Sequence, residues 1–300
     1  MPNAAARTVA LVTTRAARAQ DADLPPLAAA LGERGARAEV VDWDDAQLDW
    51  SRFELAVLRS TWDYSARWSE FLGWLERVAS ATRLINTPDI VRWSLDKHYL
   101  ASLQRCGVPT VPTRIVEPDE DAGRVVGEFL GRHLAEEVVI KPAIGSGARD
   151  ARRLARTARA ALCEQVARLQ AAGRSALLQP YLERVDAQGE SALIYIDGTY
   201  SHAVGKAAVL PRGHAPMAAL FAPETIEARA ARPDELALGA QVLASLPFAT
   251  PVYARMDLLR DASGAPCVLE LELAEPSLYL GYSPQAPARL ADALIALLPD

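Results

Sequence analysis

The sequence predicts an α/β chain: a small parallel sheet in the first third, then mixed α+β structure. Three observations predict it. Short apolar runs alternate with helical patterns up to about residue 90, the signature of parallel strands covered on both faces. After residue 190 the apolar runs come in pairs joined by turn sequences, which is hairpin patterning. Half of the 300 residues are apolar, enough for two or three sub-domains.

The elements follow in order. "TVALVT" (8–13) is a strand, 24–34 a helix, and "AEVVDW" (38–43) and "ELAVLRS" (54–60) are strands. A Trp-rich amphipathic helix at 66–80 and "RLIN" (83–86) complete a Rossmann-like unit. Asn86-Thr87-Pro88 reads as a turn, and Asp89 as the cap of a short helix. A helix at 96–105 ends at Gly107, before Pro109. "RIVEP", a helix to about 134, the strand "EVVIKP" (137–142), the loop "AIGSGARD", "ARRLART", a helix at 157–172 and the strand "SALLQPYLE" (175–183) come next. "RVDAQGE" reads as a loop, and 191–209 as a hairpin turned at Asp197-Gly198. The Pro/Gly/His-rich 211–224 reads as a mobile loop and candidate lid. A helix at 233–246, a hairpin at 252–273 and a final helix at 285–298 end the chain.

Composition narrows the function. Net charge is −6 with both signs mixed and no basic block, which argues against nucleic acid. No apolar run approaches the ~20 residues of a membrane span, and the N-terminus lacks a signal-peptide core. Cys106, Cys163 and Cys267 are widely spaced, and His98, His133, His202 and His214 lack metal-ligand spacing. The expectation is a cytoplasmic protein, without a membrane or nucleic-acid partner. A homo-oligomer is compatible with the sequence.

Chemistry concentrates near the C-terminus. In "CVLELELAEPSLYL" (267–280), Glu270 and Glu272 share one strand face. In "VYARMDLL" (252–259), Arg255 and Asp257 share another. An antiparallel hairpin about "RDASGAP" sets Asp257 opposite Glu270 and Arg255 opposite Glu272. Three carboxylates and one arginine on one patch call for a cation, and Mg²⁺ suits oxygen ligands. A solvated polar face is the other reading. Lys141 ends an apolar strand and precedes Gly145-Ser146-Gly147, whose backbone N–H groups could cradle an anion or form a plain turn. Lys97, Glu190 and Lys206 read as surface charges or site residues, and His202 as a packed core histidine or a base. Arg59 and "STWDY" follow the third strand, where open α/β sheets bind ligands, so Arg59 reads as a substrate-anion contact or as part of an interface loop.

Taken in chain order, Lys97, Lys141 with its Gly-Ser-Gly loop, "LLQPYLE", Glu190, Lys206, Arg255-x-Asp257 and Glu270-x-Glu272 resemble the ATP-grasp superfamily over about Asn86 to Ser277. "VLRSTWDY" (57–64), "YSHAVGK" (200–206) and "LELELAEPSLYL" (269–280) resemble its actinobacterial branch that includes the O-ureido-D-serine cyclo-ligase. The resemblance implies an ATP-grasp fold: a pre-ATP-grasp domain over 1–95, a central subdomain over 96–182 and a C-terminal subdomain with the metal site over 183–300. It implies ATP, with Lys97, Lys141, Gly145, Ser146 and Gly147 at the phosphates. Gln179, Tyr181 and Leu182 would face adenine, and Glu190 the adenosine. It implies Mg²⁺, as two ions with Mn²⁺ as an alternative, on Asp257, Glu270 and Glu272, the last standing where the family usually has Asn. Arg255 and Lys206 would be catalytic. Arg59, Ser201, His202 and Ser277 would meet a small amino-acid-like substrate. The implied activity is ATP-dependent carboxylate activation for attack by nitrogen, intramolecular in the cyclo-ligase version. An intermolecular amino-acid ligase and an inactive nucleotide-binding regulatory protein are the alternatives.

Overall fold

The computed structural model describes residues 7–208, 210 and 225–298; the candidate lid at 211–224 lies outside the described residues. β1 (Thr8–Thr13), α1 (Leu24–Gly32), β2 (Arg37–Asp42), β3 (Leu55–Ser60), α2 (Trp68–Ala81) and β4 (Arg83–Ile85) form a parallel sheet in the order β2-β1-β3-β4. The central strands β1 and β3 are buried on both faces, which is why they read as unbroken apolar runs. Leu24, Leu27 and Leu31 of α1 cover one face. Phe71, Trp74, Leu75 and Val78 of α2 cover the other, with Trp43 edge-on to Phe71 and Trp74. Burying each such side chain contributes about 1.5–3 kcal/mol.

α3 (Pro88–Leu95) and α4 (Tyr99–Arg105) lead out of this sheet. Asp89 does not cap α3: Thr87 holds the cap position, Pro88 opens the helix, and Asp89 lies in the first turn, favoured there by the helix dipole. A second, antiparallel sheet follows, from β5 (Arg114–Val116), α5 (Ala122–Arg132), β6 (Glu137–Pro142), β7 (Arg152–Ala155), α6 (Arg159–Ala171) and β8 (Ala176–Pro180), in the order β5-β8-β6-β7. Alternation along β6 sorts its side chains. Val138 and Ile140 pack under α5 and α6, whereas Val139 and Lys141 face a cavity.

The third sheet is antiparallel, in the order β11-β10-β9-β12-β13. It contains β9 (Glu190–Ile196), β10 (Thr199–Lys206), β11 (Ile226–Arg229), β12 (Tyr253–Arg260) and β13 (Pro266–Glu272), with α8 (Pro233–Ala244) between β11 and β12. "RVDAQGE", expected as a loop, contains the short helix α7 (Arg184–Gln188), and the edge strand β11 was not expected. Leu193, Met256 and Leu271 pack with α4 and α8 on one face. On the other, Ile194, Ile196 and Tyr253 press into the core of the first sheet, while Glu190, Asp257 and Glu270 line the cavity. α9 (Ala286–Ile295) returns to pack Leu290, Ala291 and Leu294 against α1.

Buried polar groups stitch the first and third sheets together. Asn86 Nδ2 donates to the carbonyls of Tyr253 (3.0 Å) and Leu273 (2.7 Å), and its Oδ1 accepts from Val252 N–H (2.7 Å). Tyr253 OH lies 2.9 Å from the carbonyls of Leu58, Ile85 and Ala274. Asp23 accepts from the N–H groups of Leu278 (2.6 Å), Tyr279 (3.1 Å) and Leu280 (2.7 Å), fixing the loop after β13. No helix among the described residues is long and apolar enough to cross a membrane.

Candidate active site

The three sheets enclose a cavity of about 620 Å³. Its floor is the β12–β13 hairpin in the expected register, Asp257 opposite Glu270 and Arg255 opposite Glu272. A bulge beside Asp257 leaves one extra residue on β13, so Leu269 joins Glu270 in the cavity wall. Lys97, Lys141, Glu190, Lys206, Arg255, Asp257, Glu270 and Glu272 all line this space. Residues separated by up to 175 positions therefore meet in one place.

The cations that answer the carboxylates come from the protein itself. Glu270 lies between two lysines: Lys97 Nζ at 2.8 Å and Lys141 Nζ at 3.8 Å. Lys97 also donates to the Gly145 carbonyl at 2.9 Å. Asp257 is held by Arg255 Nε and Nη2, each at 3.0 Å, and by Lys206 Nζ at 3.0 Å. Lys206 reaches Glu190 at 3.2 Å, and Arg255 also pairs with Glu272. Gly189 makes the Glu190 contact possible: at φ +66° it passes so close to β10 that a Cβ would lie 2.4 Å from the Lys206 carbonyl oxygen.

Burial and charge set the protonation states. Burial raises the Asp257 carboxyl, but Arg255 and Lys206 outweigh it and hold the pKa at about 2. Burial likewise opposes the Glu270 charge, and Lys97 and Lys141 bring it below the ordinary value. Burial lowers Lys206, yet Asp257 and Glu190 lift it well above the usual lysine range. Lys141 differs: burial depresses it, Glu270 only partly compensates, and Lys97 adds repulsion. Burial raises Glu272 to about 8, because Asp257, Glu270 and Glu275 work against the single arginine. Burial raises Glu275 to about 7.

Gly145, Ser146 and Gly147 border the same space. Ser146 Oγ donates to the Trp62 carbonyl at 2.8 Å, tying the loop to the first sheet. Gly147, Ala148 and Asp150 have positive φ, and Arg168 and Arg174 anchor the Asp150 carboxylate, so the loop has a defined, sharply turned path. Gln179, Tyr181 and Leu182 form a further wall with the apolar Val111, Val139 and Leu259. Arg153 lies over the Tyr181 ring, 3.4 Å from its centroid.

Three expected substrate contacts lie outside the cavity wall. Arg59 is fully buried and spends Nη2 on the Pro276 carbonyl (2.8 Å) and Asp23 (3.4 Å), so it braces a loop instead of facing a ligand. His202 is a packed core histidine: Nε2 meets the carbonyls of Leu278 (3.0 Å) and Tyr279 (3.2 Å), and burial lowers its pKa. Ser201 is engaged with the His202 ring. Ser277 does line the cavity, and its carbonyl accepts from Arg255 at 3.1 Å. Sequence reading missed Asp23, Glu275 and Tyr279, which also line the wall. They sit in loops, where no periodicity marks which side chains turn inward.

The donor set also bears on a metal. Among the described residues no three His, Cys, Asp or Glu side chains form a closed metal cage. Mg²⁺ does not require one; it commonly takes one or two carboxylates with water and phosphate oxygens. Asp257, Glu270 and Glu272 are hard oxygen donors on one wall, and Glu272 carries more negative neighbours than Arg255 balances. The residues fit Mg²⁺ shared with a nucleotide, not a self-contained metal centre.

Comparisons with known proteins agree with this architecture. The family described as the N-terminal domain of D-cycloserine synthetase DcsG matches residues 9–86. The cycloserine biosynthesis protein DcsG of Streptomyces lavendulae is 45% identical over 296 residues, covering 95% of this chain and 97% of that protein. A crystal structure of D-cycloserine synthetase DcsG superposes with a TM-score of 0.90 at 44% identity, covering 97% of this chain and 99% of the other. The ATP-grasp ligase PsnB, solved with a minimal precursor, Mg and ADP, shares the fold at a TM-score of 0.63 and 20% identity, covering 99% of both chains.

Proposed function

We propose a reaction for this chain from the premise that it belongs to the D-cycloserine synthetase family of ATP-grasp ligases. It is an ATP-dependent ligase, using ATP and Mg²⁺ on a small-molecule substrate. The proposed reaction is the cyclisation of O-ureido-D-serine to D-cycloserine in antibiotic biosynthesis: the ureido nitrogen bonded to oxygen closes the ring, and water then removes its carbamoyl group as carbon dioxide and ammonia. The observation that supports it best is Glu270 lying between Lys97 and Lys141 in a cavity large enough for a nucleotide and a small acid.

Lys97 and Lys141 hold the phosphates, with the backbone of Gly145, Ser146 and Gly147. The Gln179–Leu182 edge and its apolar neighbours take adenine, and Glu190 the adenosine. Asp257, Glu270 and Glu272 hold Mg²⁺, as two ions that Mn²⁺ can replace. Bound there, the metal supplies charge neutralisation to the triphosphate. A carboxylate is a poor electrophile. Phosphorylation of its oxygen, with ADP leaving, makes the acyl carbon open to attack by nitrogen, and phosphate then departs. Arg255 steadies the oxyanion of that attack, and Lys206 fixes Arg255's partner Asp257. When the nitrogen belongs to the same molecule, proximity favours ring closure over hydrolysis, provided water is excluded.

Mass spectrometry tests the reading. Incubation with O-ureido-D-serine, ATP and Mg²⁺, with no added amine, is expected to yield D-cycloserine with ADP. An absolute requirement for a second amine would replace cyclisation with intermolecular ligation. Tight nucleotide binding without ADP release from any carboxylate would remove the ligase reading.

A further inference from the structure

One carboxylate in the cavity wall has no cation paired with it among the described residues. Glu275 lies in the loop after β13 and is 7% exposed. Its side chain borders the cavity; the carboxylate accepts from its own backbone N–H, and among the described residues it forms no ion pair. The nearby cations are committed elsewhere: Lys97 to Glu270 and the Gly145 carbonyl, Arg255 to Asp257 and Glu272. The backbone around Glu275 is pinned on three sides. Trp62 Nε1 donates to the Glu275 carbonyl at 2.9 Å, Arg59 to that of Pro276 at 2.8 Å, and Tyr253 OH lies 2.9 Å from that of Ala274. Glu275 is therefore a largely desolvated carboxylate, carried on a fixed stretch of backbone and facing a ligand space.

Burying an unpaired carboxylate is costly, and such a group is normally neutralised or paired. The cost is recovered when a ligand brings the missing cation into the same cavity. Phosphates and a carboxylate bring none, whereas an α-amino acid brings an ammonium. We propose that Glu275 is the specificity-determining counter-ion for the ammonium of an α-amino-acid substrate. This rests on the reading that the cavity accepts the ligase's carboxylate substrate. It explains how a site rich in lysine and arginine, which would hold any acid, selects one that also carries a positive charge.

The test compares O-ureido-D-serine with its deamino analogue, in which hydrogen replaces the ammonium. Both are titrated calorimetrically into the whole protein, with a non-hydrolysable ATP analogue and Mg²⁺, for the wild type and Glu275→Gln. The wild type is expected to prefer the amino compound by about ten-fold or more. Glu275→Gln is expected to reduce that preference to within about two-fold, with nucleotide affinity unchanged. Equal binding of both compounds by the wild type, or binding of neither, overturns the proposal even if the variant fails to fold. So does a preference that survives in Glu275→Gln. A variant that alters only the Mg²⁺ needed for nucleotide binding assigns Glu275 to the metal instead. ADP release in parallel solutions, with ATP in place of the analogue, separates the two readings. Its absence, with the preference intact in the wild type and lost in the variant, removes the ligase function and still supports Glu275 as the ammonium's partner.

Discussion

The strand β13 and the loop that follows it present two glutamates five residues apart, Glu270 and Glu275, in opposite electrostatic situations. Glu270 lies between two lysines and is held below its ordinary pKa. Glu275 has no cation bound to it, and burial raises it to about 7. Both border one cavity, and Glu270 is the more exposed of the two. Partner supply adds to that difference. Lys97 and Lys141 arrive from other elements and converge on the strand, while the loop is braced at its carbonyls by Trp62 and by Arg59, whose charge pairs with Asp23 and not with Glu275. The strand is a charge-matched floor ready to exchange its partners for phosphates and metal, and the loop holds an unmatched charge waiting for a ligand.

The largest effect expected from breaking this contrast is on turnover. Glu270→Gln should lower ADP release by about a thousand-fold or more, with the fold retained by circular dichroism. Activity within a few-fold of wild type would detach the strand from the chemistry. Next comes Asp257→Asn, which leaves Lys206 and Arg255 buried with too little negative charge. It should cost about 3–5 kcal/mol in urea unfolding. A loss below about 1 kcal/mol would mean that the pairing is weaker than its 3.0 Å contacts suggest. Lys141→Ala should weaken binding of an ATP analogue by about 10–100-fold. It should cost less stability than Asp257→Asn, because Glu270 keeps Lys97 at 2.8 Å. Unchanged nucleotide affinity would remove Lys141 from the site.

The smallest effect sharpens the contrast through pH. The folded pKa of Glu275, about 7, lies above the ordinary 4.5, so the folded state holds its proton longer than the unfolded state. Its contribution to stability is present at pH values below 4.5 and is lost as pH rises through about 7. Glu275→Gln, which stays neutral, should therefore match wild-type stability at pH 5 and exceed it at pH 8 by on the order of 2 kcal/mol. Urea midpoints at the two pH values measure this. No gain at pH 8 would show that Glu275 already has a partner in the free protein.

Much of the fold was legible because its signals are periodic. The runs in β1 and β3, the alternation in β6 and the turn between β12 and β13 all follow from side-chain spacing. The last of these also placed Asp257 against Glu270. The expectation that an outside cation must separate those carboxylates needs revision, because Lys97, Lys206 and Arg255 do that work within the protein. Such partners come from elements far apart in sequence, and only packing brings them together. Arg59 shows the converse. Its place after β3 suggested a ligand, but Asp23 and Pro276 take its guanidinium in the interior. The short α7 and β11 escaped because a few residues carry too little periodicity to be read.

On this reading Glu270 holds Lys97 and Lys141 until a nucleotide and Mg²⁺ exchange places with those contacts. Calorimetric titration of a non-hydrolysable ATP analogue, with and without Mg²⁺, into the wild type and Glu270→Gln tests it most directly. Mg²⁺ is expected to tighten binding to the wild type, Glu270→Gln to bind the metal-free analogue at least as tightly as the wild type does, and the variant to gain little from the metal. An equal gain from Mg²⁺ in both proteins would contradict it.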